Sequence, residues 1–138
     1  MLRSGLALAG ANARRSDAND GILTALEVSG LDLWGTRLVV LSACETGVGR
    51  TTNGDGVYGL RRALVLAGAE SQVTSLWKVD DKATRLLLTD FYRRLVGGVG
   101  PSEALREAQL ALSSQQEFAA PYYWAAFVAS GAQTPIRF

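Results

Sequence analysis

Apolar positions along this chain follow two periods. Leu38 to Leu41 form an unbroken apolar run bounded by small residues, the pattern of a parallel strand buried on both faces. This predicts a central strand over Thr36–Ala43, and Val73–Trp77 reads as a second buried strand. Helical spacing appears between and after them. Val57, Leu60, Leu64 and Ala67 recur on one face, with Gly68 as the stop. Ala83, Leu87, Phe91 and Leu95 make a longer stripe, opened by Asp80 or Asp81 as N-cap and closed by Gly97-Gly98. Pro101-Ser102 opens another helix with Leu105, Ala108 and Leu112 inward.

Weaker signals fill the ends. Ser4–Gly10 reads as a short strand and Ala11–Gly21 as a polar surface loop. Thr24-Ala-Leu-Glu27 has capping-box spacing, predicting a short helix that ends by Gly30. Pro121 breaks the chain before Tyr122–Ser130, an aromatic and alanine-rich segment that reads as a last core strand. The order strand, helix, strand, helix, helix, strand predicts a three-layer α/β domain built as one unit over all 138 residues.

Composition narrows the function classes. Hydrophobic residues make up 48% and charged residues 20%, an ordinary globular balance. A net charge of +1 gives no reason to expect nucleic acid or an anionic membrane as partner. No apolar run approaches the ~18 residues of a membrane span, and no secretory signal opens the chain. One cysteine makes no internal disulfide, and with no histidine a structural zinc site lacks ligands. No metal or cofactor is expected, and a reduced, cytoplasmic setting fits.

Candidate chemistry centres on that cysteine. Cys44 follows the central strand, where open α/β sheets place ligands. A buried cysteine can equally be a small hydrophobe. Glu45, Thr46 and Gly47 follow it, and Gly49, Gly54, Gly56 and Gly59 extend a stretch whose amides could meet a developing oxyanion. A phosphate loop does not fit, because Leu60-Arg61-Arg62 stands where Lys and Ser or Thr belong. No Gly-x-Gly-x-x-Gly follows a strand, which removes a dinucleotide fold. Asp80 and Asp81 follow the second strand. One is expected to cap the helix, leaving the other free to face a cationic substrate group.

Taken together, Leu38-Val-Val-Leu-Ser-Ala-Cys-Glu-Thr-Gly47, Gly54-Asp-Gly-Val-Tyr-Gly-Leu-Arg-Arg-Ala63 and Ser75-Leu-Trp-Lys-Val-Asp-Asp81 resemble the CHAT domain. Ala104-Leu-Arg-Glu-Ala-Gln109 and Pro121-Tyr-Tyr-Trp-Ala-Ala-Phe127 extend the resemblance across nearly the whole chain. CHAT domains are caspase-like cysteine peptidase modules of clan CD, related to separase and often fused to TPR repeats. The resemblance implies a caspase-like, Rossmann-like three-layer sandwich with a mostly parallel sheet. It implies Cys44 as the nucleophile of a Cys–His dyad, with Glu45 and Gly47 in its loop and Asp81, or Asp80, reading a basic P1 side chain.

The family's dyad histidine lies on an earlier strand, and this chain has no histidine at all. The expectation is therefore the C-terminal part of a CHAT domain, lacking its N-terminal strands and inactive alone. An upstream segment would supply the histidine and cover an apolar sheet edge, and the partner would be a protein or peptide substrate. The alternative is a pseudoenzyme that keeps the fold for protein–protein contact.

Overall fold

The computed structural model describes residues 5–11, 20–42 and 55–137, with backbone alone for 55–57. They divide into two units, residues 5–36 with 55–69 and residues 37–42 with 70–137. In the first unit, β1 (Gly5–Ala7) pairs antiparallel with β2 (Ile22–Thr24), Leu6 opposite Leu23. The short strand expected in Ser4–Gly10 is there, whereas β2 had no forecast. Most of the expected polar loop between them lies outside the described residues.

Thr24 ends β2 and starts α1 (Ala25–Ser29) with a complete capping box. The Thr24 hydroxyl accepts from the Glu27 amide at 3.2 Å, and the Glu27 carboxylate accepts from the Thr24 amide at 2.7 Å. These bonds satisfy helix-start donors that have no partner inside the helix. They also hold the Glu27 carboxyl below its ordinary range, the Thr24 hydroxyl contributing most. Ala25 and Val28 are buried, and α1 packs on α2 (Asp55–Ala67), which buries Leu60, Ala63, Leu64 and Ala67. Gly68 stops α2 at φ +106°, a conformation that penalises any Cβ. A Cβ there would also press on the Trp34 amide at 3.2 Å.

The second unit is built on a three-stranded sheet, β3 (Val39–Leu41), β4 (Ser71–Ser75) and β5 (Phe127–Gly131), in that order. β3 runs parallel to β4 with Val40 opposite Val73, and β5 runs antiparallel with Ala129 opposite Val73. The sheet is thus small and mixed, where a mostly parallel one was expected. The central strand is β4, all five residues of which are buried. The run Leu38–Leu41 is only half-buried, because among the described residues β3 has a neighbour on one side alone. The second strand ends at Ser75, so Leu76 and Trp77 lie beyond it and are exposed.

Helix α3 (Asp81–Val96) buries Ala83, Leu87, Phe91 and Leu95, the stripe read from the sequence. Its partner α4 (Pro101–Ser113) buries Ala104, Leu105, Ala108 and Leu112. Four-residue spacing stacks these side chains on one helix face, and small Ala104 and Ala108 let the helices approach. Together with Val73, Phe118 and Phe127 they form the core. Val40, Val73 and Ala129 share the sheet face that meets this core.

The last strand is shorter than expected. Pro121–Tyr123 is a 3-10 turn following a first one at Gln116–Phe118, and β5 starts only at Phe127. The aromatic segment splits accordingly. Phe127 is a core residue, whereas Tyr122 is 51% exposed.

Candidate active site at the carboxyl edge of the sheet

Parallel pairing sends β3 and β4 out of the sheet at the same edge, Leu41 standing opposite Thr74. That edge is where ligands meet open α/β sheets. Past β3 the described chain ends at Ser42, so Cys44, Glu45 and Gly47 lie outside the described residues.

Past β4 the chain is described throughout. Leu76, Trp77 and Lys78 are exposed, Val79 returns into the core, and Asp80 and Asp81 open α3. Two long-range bonds fix this turn. The Leu76 amide donates to the Ala126 carbonyl at 2.9 Å, and the Trp77 indole Nε1 donates to the Tyr122 carbonyl at 3.2 Å. The first 3-10 turn is tied to the start of α3 as well. Lys82 Nζ sits 2.7 Å from Glu117 Oε1 and 5.3 Å from the centre of the Phe118 ring.

The two aspartates have different surroundings. Asp80 is the N-cap, its Oδ1 accepting from the Ala83 amide at 2.9 Å. Its carboxylate is occupied in starting the helix. Asp81 stands in the first turn, exposed, and among the described residues it takes part in no ion pair. A free carboxylate in this position can receive a guanidinium through two parallel hydrogen bonds, or an ammonium through one. Trp77, in the turn that leads to α3, is 37% exposed. Arg61 and Arg62, the cations at the glycine-rich stretch, lie half-buried and exposed on α2, in the other unit.

Sequence reasoning did not find the supports of this turn. Trp77 and Tyr122 are 45 positions apart, as Lys82 and Glu117 are 35 apart, and no local pattern links them. Gln109 is a further support. Its Nε2 donates to the Trp124 and Phe127 carbonyls, each at 2.9 Å, holding the segment that carries Tyr122 against α4.

Among the described residues no helix is long and apolar enough to cross a membrane. The model of the CHAT domain family matches residues 1–132. The chain is 34% identical over 135 residues to human (Homo sapiens) tetratricopeptide repeat protein 28, covering 89% of this chain and 5% of that protein. The mouse (Mus musculus) protein of the same name is 35% identical over 116 residues, again 5% of its length. This sequence therefore spans about a twentieth of the curated relatives it matches. With a family match over nearly its whole length, the chain belongs to the CHAT domain family.

Proposed function

We propose that this chain is the cysteine-bearing, C-terminal part of a single caspase-like three-layer domain, and that it serves as a peptidase when a histidine from outside these 138 residues joins it. Cys44 is the nucleophile in this reading, with Glu45 and Gly47 shaping its loop. The thiolate adds to the carbonyl carbon of the scissile peptide. The amine departs with a proton from the histidine, and water then hydrolyses the thioester. Asp81 selects Arg or Lys at P1. The observation that carries the reading is the division of labour between neighbours, Asp80 bound to the Ala83 amide and Asp81 unengaged at the edge where β3 and β4 exit. Attachment to TPR repeats in a reduced cytoplasm is the proposed setting, in line with the name of the relatives.

A second reading, a non-catalytic interaction module, is favoured by the absence of histidine from the chain. Without that partner a thiol of pKa about 8.5 is only a few per cent ionised at neutral pH. Loss of proton donation to the leaving amine costs a further ~10²–10⁴-fold. Alkylation needs only the thiolate, so it tests the site without the histidine. Cys44 should react faster with a chloromethyl ketone bearing Arg at P1 than with its Leu counterpart, followed by mass spectrometry. Asp81→Asn should erase that preference and Asp81→Glu should keep part of it. Equal rates for the two probes, or a preference that survives Asp81→Asn, would sink the peptidase-site reading and leave the interaction module.

A further inference from the structure

In the second unit, residues of α3 and α4 line a groove of about 390 Å³, within the size range of ligand pockets. Ala108 and Ala111 on α4 keep it open, and Leu86 and Leu112 contribute apolar carbon. Arg85, Thr89 and Arg93 line it from α3 at four-residue intervals, one stripe of a single helix face.

The cations of the groove are unequally engaged. Arg94 is paired twice, bonded to Asp90 at 2.9 Å and also to Glu107, and the Asp90 bond raises its pKa. Arg93 reaches the same Asp90 at 3.3 Å with its side chain 73% exposed. Arg85 makes no ion pair among the described residues. Arg85 is thus unpaired among the described residues, and Arg93, eight residues on and about 12 Å along the helix, keeps donors beyond its one bond to Asp90. Between them the lining holds Leu86, Thr89 and the Asp90 carboxylate, already bonded to Arg93 and Arg94, with the apolar carbon of Ala108, Ala111 and Leu112 contributed by α4.

We propose that this groove docks an extended acidic segment of a partner protein, with carboxylates at positions j and j+4 and an apolar side chain at j+2. An extended chain places j, j+2 and j+4 on one side and spans about 13 Å over those four steps. The acids then meet Arg85 and Arg93 while the middle side chain enters above Ala108 and Ala111. Arg is suited to both contacts, since its fork donates two parallel hydrogen bonds to a carboxylate. The groove is separate from the peptidase reading, and its fate is independent of Cys44 and Asp81.

The test is fluorescence anisotropy of the 138-residue chain with fluorescein-labelled Gly-Glu-Ser-Leu-Ser-Glu-Gly and its Gln-for-Glu counterpart. The acidic peptide should bind saturably and several-fold tighter than the neutral one, weakening as salt rises from about 0.05 to about 0.5 M. Arg85→Glu with Arg93→Glu should weaken it about tenfold or more. Ala111→Trp, which fills the groove without changing charge, should weaken it too, with melting curves confirming that both variants fold. Absence of saturable binding at millimolar peptide, equal binding of the two peptides, or indifference to Ala111→Trp would overturn the proposal. So would a dimer in sedimentation velocity that Ala111→Trp breaks, which would assign the groove to a second copy.

Discussion

Replacing Asp80 and Asp81 one at a time separates a helix cap from a recognition group. Asp80→Ala removes the acceptor of the Ala83 amide, whose own side chain is fully buried at the head of the α3 stripe. Losing an N-cap of this kind costs about 1 kcal/mol, within a range of about 0.5–2. With a urea dependence of roughly 1–3 kcal/mol per molar, the midpoint should fall by about half a molar. Asp80→Asn keeps an acceptor and should cost only a few tenths of a kcal/mol. Asp81→Ala removes a first-turn charge, worth about 0.3–1 kcal/mol at low salt and screened toward nothing at high salt. Urea melts followed by circular dichroism at about 0.05 and about 0.5 M salt distinguish the cases. An Asp81→Ala loss as large as that of Asp80→Ala in high salt would refute the assignment. An Asp80→Asn variant as damaged as Asp80→Ala would refute it equally, by showing that the charge matters and not the bond.

Two further outcomes are expected. Phe91→Ala, at a site with 0% exposure between α3, α4 and the sheet, should cost about 3–5 kcal/mol in thermal or chemical unfolding. A loss under about 1.5 kcal/mol would mean that this face of α3 is not the core. The capping box should give the first unit a pH dependence of definite sign. Because the Glu27 carboxyl is depressed below its ordinary value of 4.5, its contribution is complete above that value and disappears as pH falls through the folded-state value. The stability gap between wild type and Glu27→Gln should therefore be open near pH 7 and close in acid, below the ordinary carboxyl value. A gap constant with pH would show that the carboxylate charge plays no part in the box.

The helices were legible because their burial is periodic and their ends are marked locally. Ala83, Leu87, Phe91 and Leu95 announce α3 by spacing alone, and Thr24 with Glu27 marks the start of α1 within four residues. Strand rank was not legible. Leu38–Leu41 is more apolar than Ser71-Gln-Val-Thr-Ser75, yet the polar strand lies at the centre, since its neighbours on both sides and not its composition decide burial. The aromatic segment misled for a related reason. Alternating large and small side chains suit a strand, but Pro121, its own φ fixed by the ring, suits the first position of a tight turn. In the candidate site, sequence placed one aspartate on capping duty without saying which. The bonds from Trp77, Lys82 and Gln109 to distant groups come only with the fold.

The Gln109 amide has a consequence for how the site region answers its surroundings. Its single Nε2 supplies both hydrogens to the Trp124 and Phe127 carbonyls, which leaves α4 and the start of β5 joined by a group that never titrates. The joint between Lys82 and Glu117, by contrast, is an exposed ion pair that salt weakens. The stretch from Glu117 to Phe127 is thus joined to α4 by a neutral fastening and to α3 by an ionic one. Added salt would therefore free Glu117 from α3 while the neutral bonds from Gln109, Leu76 and Trp77 stay fast.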